Sequence, residues 1–338
     1  MVIQEAIRAL IEDGVLPGEL AERAMTAIMG GEATEAQIGA YLSALRIRGE
    51  SAEVIAASAR AMQAHAESID IDDVIDVVGT GGDGVDTFNV STAAALVVAG
   101  AGGRVAKHGN RAMSSKSGSA DILEALGART DLDGEAVARI IKECGFCYVF
   151  AQRFHPAMRH VAGPRREMGV RTLFNLLGPL TNPAHPKAQL TGVSSEAHAP
   201  LMAEAFALRK VSPVIIVRSE DGLDEISPSA PTQAWYVEDG SVREEELSPS
   251  DFGLRAHPLE AVRGGTADEN AKTMLAVLSG EASPVLDFVL MNAAASLLVA
   301  GLADDLWQGA ERAHEVIATG KARQVLDRYI ELSQEAGT

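Results

Sequence analysis

Apolar positions along the chain change their period close to residue 74. Before it they recur at helical spacing: Ile38, Tyr41, Leu42 and Leu45 share one face of a helix. That helix opens at the capping box Thr34-x-x-Gln37 and closes at Arg46, Arg48 and Gly49. Another begins after Ser51 and takes in residues 54–62, so residues 2–65 read as a small bundle whose apolar faces serve its interior or a partner. Beyond an acidic connector at 67–73, short β-branched runs alternate with helical stretches. Strands are expected at 74–78, 103–107, 147–150, 189–193 and 214–217, and helices at about 120–126, 137–143 and 200–208. A β-rich piece near 234–237, a Gly264-Gly265 turn, a helix at 268–278 and further helices complete the chain. The runs at 93–101 and 288–303 are too short, or too interrupted by Asn292 and Ser296, to cross a bilayer, which takes about 20 apolar residues. They read as buried helices, and no internal repeat is present.

The first strand of the second region ends in Gly79-Thr80-Gly81-Gly82-Asp83-Gly84, followed by Thr87, Asn89, Ser91 and Thr92 at the head of the run at 93–98. Glycines let backbone N–H groups approach an oxyanion, and a helix N-terminus behind them adds donors and positive dipole. Gly79, Gly81 and Gly84 satisfy the dinucleotide spacing, but the helix does not open at the third glycine, and no acid lies between Thr87 and Ala120 to hold a ribose. Gly84 is followed by Val85 and Asp86, which excludes a Gly-Lys-Ser/Thr phosphate loop. A merely tight turn would need one or two glycines; this loop uses four and adds polar side chains, as a phosphate site does.

Charge sharpens that reading. The 338-residue chain carries a formal net charge of −18, which argues against bulk electrostatic binding to nucleic acid or to an anionic membrane. Its 47% hydrophobic and 22% charged composition is that of a folded chain, and its length suits about two domains. Yet acids are missing from residues 87–120, 144–166 and 168–195, and Arg104, Lys107, Arg111, Lys116, Arg153, Arg159, Arg165, Arg166, Arg171 and Lys187 fall inside those windows. Such confinement fits an anion pocket better than a solvated face. With no basic-then-apolar leader and only two cysteines, a reducing cytoplasm is expected.

The loop at 107–121 mixes cations, hydroxyls and His108, the last expected as a stacking or hydrogen-bonding wall. Cys144-Gly-Phe-Cys147 lies between a helix and a strand, the reverse of a redox motif, and its spacing to His155 and His160 is short of a zinc finger, which leaves two buried cysteines. Arg165 and Arg171 suit a substrate carboxylate. Asp221-Gly-Leu-Asp224-Glu225 closes a strand with adjacent acids that suit Mg²⁺ or form an exposed turn.

Taken together, Gly79-Thr-Gly-Gly-Asp83, Asn89-Val-Ser-Thr92, Lys107-His-Gly-Asn-Arg111 with Ser-Gly-Ser119-Ala-Asp121, Arg165-x-x-Met-Gly-x-Arg-Thr172, Asn175-Leu-Leu-Gly-Pro-Leu-Thr-Asn-Pro183 and Asp221-Gly-Leu-Asp-Glu225 resemble the anthranilate phosphoribosyltransferase family. Pro164 stands where an aliphatic residue is expected. The resemblance implies an α/β fold with a small all-α domain: a helical domain at 1–70, joined by about 165–185, and an α/β domain at 71–164 and 186–338 with a mainly parallel central sheet flanked by helices. It also implies a homodimer formed through the helical domain. The implied reaction joins 5-phosphoribosyl 1-diphosphate to the amino group of anthranilate, releasing pyrophosphate, in tryptophan synthesis. By motif, Gly79, Gly82, Asp83, Thr87, Asn89, Ser91, Thr92, Lys107 and Ser119 would hold the phosphoribosyl donor. Asn110 and Arg165 would contact anthranilate, with Gly79 between the substrates, and Ser91, Asp224 and Glu225 would serve Mg²⁺. An aromatic amine is already nucleophilic, so no general base is nominated. A pyrimidine-nucleoside phosphorylase would share the fold class but has less use for Asn110 and Arg165. A non-enzymatic nucleic-acid-binding relative would be expected to lose the acids and gain basic surface.

Overall fold

The computed structural model describes residues 1–111 and 116–336; the tip of the polar loop expected at 107–121, residues 112–115, lies outside the described residues. The chain begins with helices α1 (Val2–Arg8), α2 (Gly18–Met29), α3 (Glu35–Arg48) and α4 (Ala52–Ala64). The capping box before α3 is formed in both directions, Gln37 N–H donating to Thr34 Oγ1 at 3.3 Å and Thr34 N–H to Gln37 Oε1 at 3.0 Å. Ile38, Tyr41, Leu42 and Leu45 are the buried face of α3, as their spacing requires. Two orphan donors at the helix start are thereby satisfied, and the apolar stripe is aimed inward.

The second region follows in the order β1 (Ile75–Gly79), α5 (Val90–Gly100), β2 (Val105–Gly109), α6 (Ser119–Ala125), α7 (Gly134–Cys144), β3 (Phe146–Phe150), α8 (Ala151–Phe154), α9 (Arg159–Met168), α10 (Phe174–Leu177), β4 (Ala188–Gly192), α11 (Ala199–Leu208) and β5 (Val214–Ser219). It ends with β6 (Thr232–Glu238), β7 (Ser241–Leu247), α12 (Ala267–Leu278), α13 (Pro284–Val299), α14 (Leu306–Ala318) and α15 (Lys321–Glu335). The sheet runs β3-β2-β1-β4-β5-β6-β7, parallel from β3 to β5 and antiparallel from β5 to β7. This is the mainly parallel, helix-flanked sheet expected from the alternating pattern.

Strand β1 leads on to β2 on one side and its other neighbour, β4, leads on to β5 on the opposite side, so the connections leave the adjacent C-terminal ends of β1 and β4 in opposite directions. A crevice forms at such a switch point, and ligands of open α/β sheets bind there. Gly79 and Gly192 face each other across it as register partners.

Strands β1 to β4 are buried on both faces except at Gly79 and Gly109, which explains their near-continuous apolar runs. The helices read as buried are so: α5 and α13 pack against each other. One core lies among β1 to β3, α5, α7 and the C-terminal helices. A second joins the bundle to Val161, Leu173, Leu177, α11, Ile216 and Trp235. Helix α9 packs on α2 and α3, and α10 on α4, so the return segment closes the bundle. Pro164 sits inside α9, buried, without ending the helix before Gly169. One edge of the sheet, β7, carries Arg243, Glu244, Glu245 and Glu246, charges that oppose further strand addition. Among the described residues no helix is long and apolar enough to cross a membrane.

Candidate functional site

The crevice is floored by the glycine loop that follows β1. Thr80 N–H donates to Gly192 O at 2.9 Å and Gly81 N–H to Asp224 Oδ2 at 2.7 Å, so the loop is stitched to the end of β4 and to the turn that follows β5. Gly81 and Gly82 have φ of 68° and 73°, a left-handed conformation that glycine adopts without penalty. A Cβ on Gly79 would lie 2.4 Å from Asp224 Oδ2, and one on Gly192 would lie 1.5 Å from Asp224 O. Backbone and carboxylate therefore meet with no room for a side chain between them.

Helix α5 starts behind this loop with Asn89 at its N-cap, where the sequence placed it. Asn89 Nδ2 donates to Ser117 O at 3.1 Å, which ties the segment before Ser119 to the head of α5. Ser119 is the first residue of α6. Asn270 Nδ2 donates to Asn89 Oδ1 at 2.9 Å and Asn270 Oδ1 accepts from Gly265 N–H at 2.8 Å, fixing the amide from the far side. Thr87 holds its place through a backbone bridge to Arg263. Thr92, in the first turn of α5, has no exposed surface; its N–H goes to Asn89 O, and its hydroxyl has no hydrogen-bond partner among the described residues.

Lys107 rises from β2 beneath the crevice, 2% exposed. Its Nζ donates to Val77 O at 2.6 Å and to Ser91 Oγ at 3.2 Å, leaving one of its three N–H groups to give. Burial lowers its pKa, opposed by Asp76, Glu225 and Asp224. Asp76 accepts from His108 N–H at 3.1 Å and from Asn182 Nδ2 at 2.8 Å. Burial raises Asp76 to about 6 despite Lys107.

Asp224 and Glu225 are no exposed turn. Asp224 is only 7% exposed, and burial raises its carboxyl. Burial, then the neighbouring Asp224, pushes Glu225 well above the usual carboxylate range, while Lys107 and a hydrogen bond from Ser91 pull it back. Asp83 is raised to about 6 by burial and then by Asp224, although Val85 N–H donates to its Oδ1 at 3.1 Å. The acids are placed by Asn292 of α13, which exchanges hydrogen bonds of 3.0 Å with both Ile226 N–H and Ile226 O. Among the described residues no group of three or more histidine, cysteine or acidic side chains forms a complete metal cage. A hard cation here would complete its shell with water and ligand oxygens, which is the habit of Mg²⁺. Converging carboxylates in low dielectric fit that ion.

On the other side, Asn110 follows β2, its Oδ1 accepting from Gln152 Nε2 at 3.1 Å and from Arg111 N–H at 2.8 Å. Its amide N–H₂ donates to no other described residue. Arg165 of α9 lies over the Phe174 ring, 5.3 Å from the centroid, and burial lowers its pKa. Arg171, the other arginine suited to a substrate carboxylate, is turned toward the glycine loop: its guanidinium donates to Gly81 O at 2.7 Å and to Gly82 O at 3.0 Å. His108 is also no open wall, being 3% exposed, bonded through Nδ1 to Gly178 O at 3.1 Å and tilted against His155. Cys147 is buried and Cys144 partly so, both as free thiols.

Asn270, Asn292, Asn182 and Ser194 escaped the sequence reading. Each acts across a long sequence separation on backbone or on another residue of the site, and local pattern carries no signal of that; Asn292 was visible only as a polar break in an apolar helix.

The family model described as glycosyl transferase family, a/b domain, matches residues 71–323, and that described as glycosyl transferase family, helical bundle domain, matches residues 4–66. Anthranilate phosphoribosyltransferase of Thermomicrobium roseum is 50% identical over 98% of this chain and 97% of its own. The solved structure of anthranilate phosphoribosyltransferase from Thermus thermophilus aligns with TM-score 0.91 at 44% identity, covering 97% of this chain and 99% of that one. The Saccharomyces cerevisiae enzyme in complex with PRPP and Mg aligns with TM-score 0.91 at 31% identity, covering 98% of each chain.

Proposed function

The chain belongs to the anthranilate phosphoribosyltransferase family, and from that membership we propose that it transfers the phosphoribosyl group of 5-phosphoribosyl 1-diphosphate to the amino group of anthranilate. The products are N-(5-phosphoribosyl)anthranilate and pyrophosphate, a step of tryptophan synthesis. The observation that carries the reading is the meeting, at the β1/β4 switch point, of a glycine loop, a buried lysine and two adjacent acids, Asp224 buried and Glu225 partly so.

In this reading Gly79, Gly82, Asp83, Thr87, Asn89, Ser91, Thr92, Lys107 and Ser119 hold the donor. Backbone N–H groups of the loop and the remaining N–H of Lys107 meet phosphate oxygens, and Asp83 accepts from a ribose hydroxyl or from water. Ser91, Asp224 and Glu225 would hold Mg²⁺, which when bound compensates the charge gathered on departing pyrophosphate. Asn110, through its N–H₂, and Arg165, through its guanidinium, orient the anthranilate so that its amine lies toward C1 of the ribose, with Gly79 between the substrates. The amine needs no base to attack, so positioning and charge stabilisation supply the catalysis.

The proposal includes a division into a helical unit at 1–70 with about 165–185 and an α/β unit made by the rest. It includes a homodimer formed through the bundle, supported by the exposed apolar side chains of Ile11, Val15 and Ile47. Its compartment in this reading is the cytoplasm. Anthranilate fluorescence is the test: it should decay when donor and Mg²⁺ are present together and persist when either is omitted. Persistence with both, alongside phosphorolysis of a pyrimidine nucleoside, would overturn the reading in favour of a phosphorylase.

A further inference from the structure

We propose that Arg171 is a positioning residue for the phosphoribosyl donor, aiming the N–H groups of the glycine loop by holding the loop's carbonyls from behind; this rests on the donor reading above. A peptide unit is planar and trans, so the carbonyl of one residue and the N–H of the next point in opposite directions. Arg171 Nη2 donates to Gly81 O at 2.7 Å and Nη1 to Gly82 O at 3.0 Å. Binding those two carbonyls turns the N–H groups of Gly82 and Asp83 away from the guanidinium and toward the crevice. Glycine peptides otherwise rotate at little cost, and a rotated carbonyl would face the anion.

The arrangement around the pair is built for this contact. A Cβ on Gly82 would lie 2.3 Å from Arg171 Nη2, so a side chain there would push the guanidinium aside, and the φ of 73° favours glycine as well. Ser194 Oγ donates to Gly81 O at 3.0 Å from beside it, and Ser194 N–H donates to Thr80 Oγ1 at 3.2 Å. Two parallel N–H groups at fixed spacing match two successive carbonyls, a geometry that guanidinium offers and ammonium does not. Arg171 also stands just past Gly169, the left-handed cap that ends α9, the helix carrying Arg165. One short segment therefore bears on the loop at one end and on the anthranilate side at the other.

The experiment compares full-length wild-type, Arg171→Ala and Arg171→Lys proteins by steady-state kinetics with each substrate varied, by calorimetric binding of magnesium pyrophosphate, and by thermal unfolding. Loss of two hydrogen bonds from a charged donor predicts a donor KM raised ~10- to 100-fold in Arg171→Ala, with pyrophosphate affinity falling in step. The anthranilate KM should stay within about twofold, since its contacts lie on other residues. Arg171→Lys, able to reach one carbonyl, should fall between, and it carries the test if Arg171→Ala does not fold. An anthranilate KM raised as much as the donor KM would overturn the proposal, as would a lowered melting temperature with donor KM and pyrophosphate affinity unchanged. If the wild-type protein transfers nothing to anthranilate, the functional reading fails on its own, and the ratio of pyrophosphate affinities still decides the role of Arg171.

Discussion

At the residue scale the site separates charges that bind from charges that are held in readiness. Arg165 is half-buried over Phe174, and among the described residues no acid stands in ion-pair range of it, so its charge is available to a carboxylate. Arg165→Ala should raise the anthranilate KM ~10- to 100-fold, because a hydrogen bond from a charged group is worth about 1.5–3 kcal/mol. The donor KM should hardly move; equal effects on both substrates would remove Arg165 from the acceptor site. Glu225 is the opposite case, a carboxylate raised by burial and by Asp224 and thus held at a cost to the fold. Glu225→Gln should lower turnover and shift the Mg²⁺ optimum upward, while the ligand-free protein melts a few degrees higher, on the order of 1–3 °C. Calorimetry without ligand and a Mg²⁺ titration of activity read the two halves separately. A wild-type Mg²⁺ profile would mean that the acid only lines the crevice.

At the element scale the sequence was most legible where one strand or helix carries its own signal. The strand-loop-helix around Gly79 and Asn89 and the capping box at Thr34 lie where the pattern put them, because cap and turn chemistry is local. The roles of Arg171 and of the acids at 224 and 225 were not legible to the same degree, since they depend on which strand ends become neighbours. Asn292 is the clearest instance: inside an apolar helix it reads as an interruption, yet it grips both backbone groups of Ile226, 66 residues away. Asn292→Ala should leave those two buried groups unpaired and cost about 2–5 kcal/mol in denaturant unfolding. Turnover should fall too, with a higher Mg²⁺ requirement, because the turn bearing Asp224 and Glu225 loses its anchor. Full activity with lowered stability would mean that the turn is held well enough by its other contacts.

At the scale of the whole molecule, the bundle and the sheet meet over a junction that excludes protons. His108 and His155 are packed there, 5.3 Å apart, with burial driving their values down to about 3 and about 4; for His108 the neighbouring His155 and Lys107 add to the effect and the bond to Gly178 O opposes it. An unfolded histidine titrates near 6.5, so between that pH and about 4 the unfolded chain binds protons that the folded protein refuses. The contribution is complete above pH 6.5 and is lost as the pH falls, at up to about 1.4 kcal/mol per pH unit for each ring. The acids that burial raises, Asp76, Asp83, Asp224 and Glu225, act with the opposite sign over this range, so the histidine contribution is read as a difference between proteins. In denaturant unfolding from pH 7 to pH 4.5, His155→Asn should lose stability less steeply than the wild type, by up to about 1.4 kcal/mol per pH unit; equal slopes in the two proteins would place the proton uptake elsewhere. The contact of Gly79, Gly192 and Asp224, where one methyl group would collide at 1.5 to 2.4 Å, sets a different kind of limit. Gly192 touches the backbone of Asp224 and Gly79 its carboxylate, a contact with no intermediate sizes to try, so the proposed donor side of this crevice is closed to gradual change. The proposed acceptor side rests on side chains, Asn110 with Gln152 bonded to it and Arg165, and can vary one residue at a time. New acceptor specificities in this scaffold should therefore arise by drift around an unchanging sugar-phosphate, and a library randomised at Gly79 or Gly192 should return only glycine.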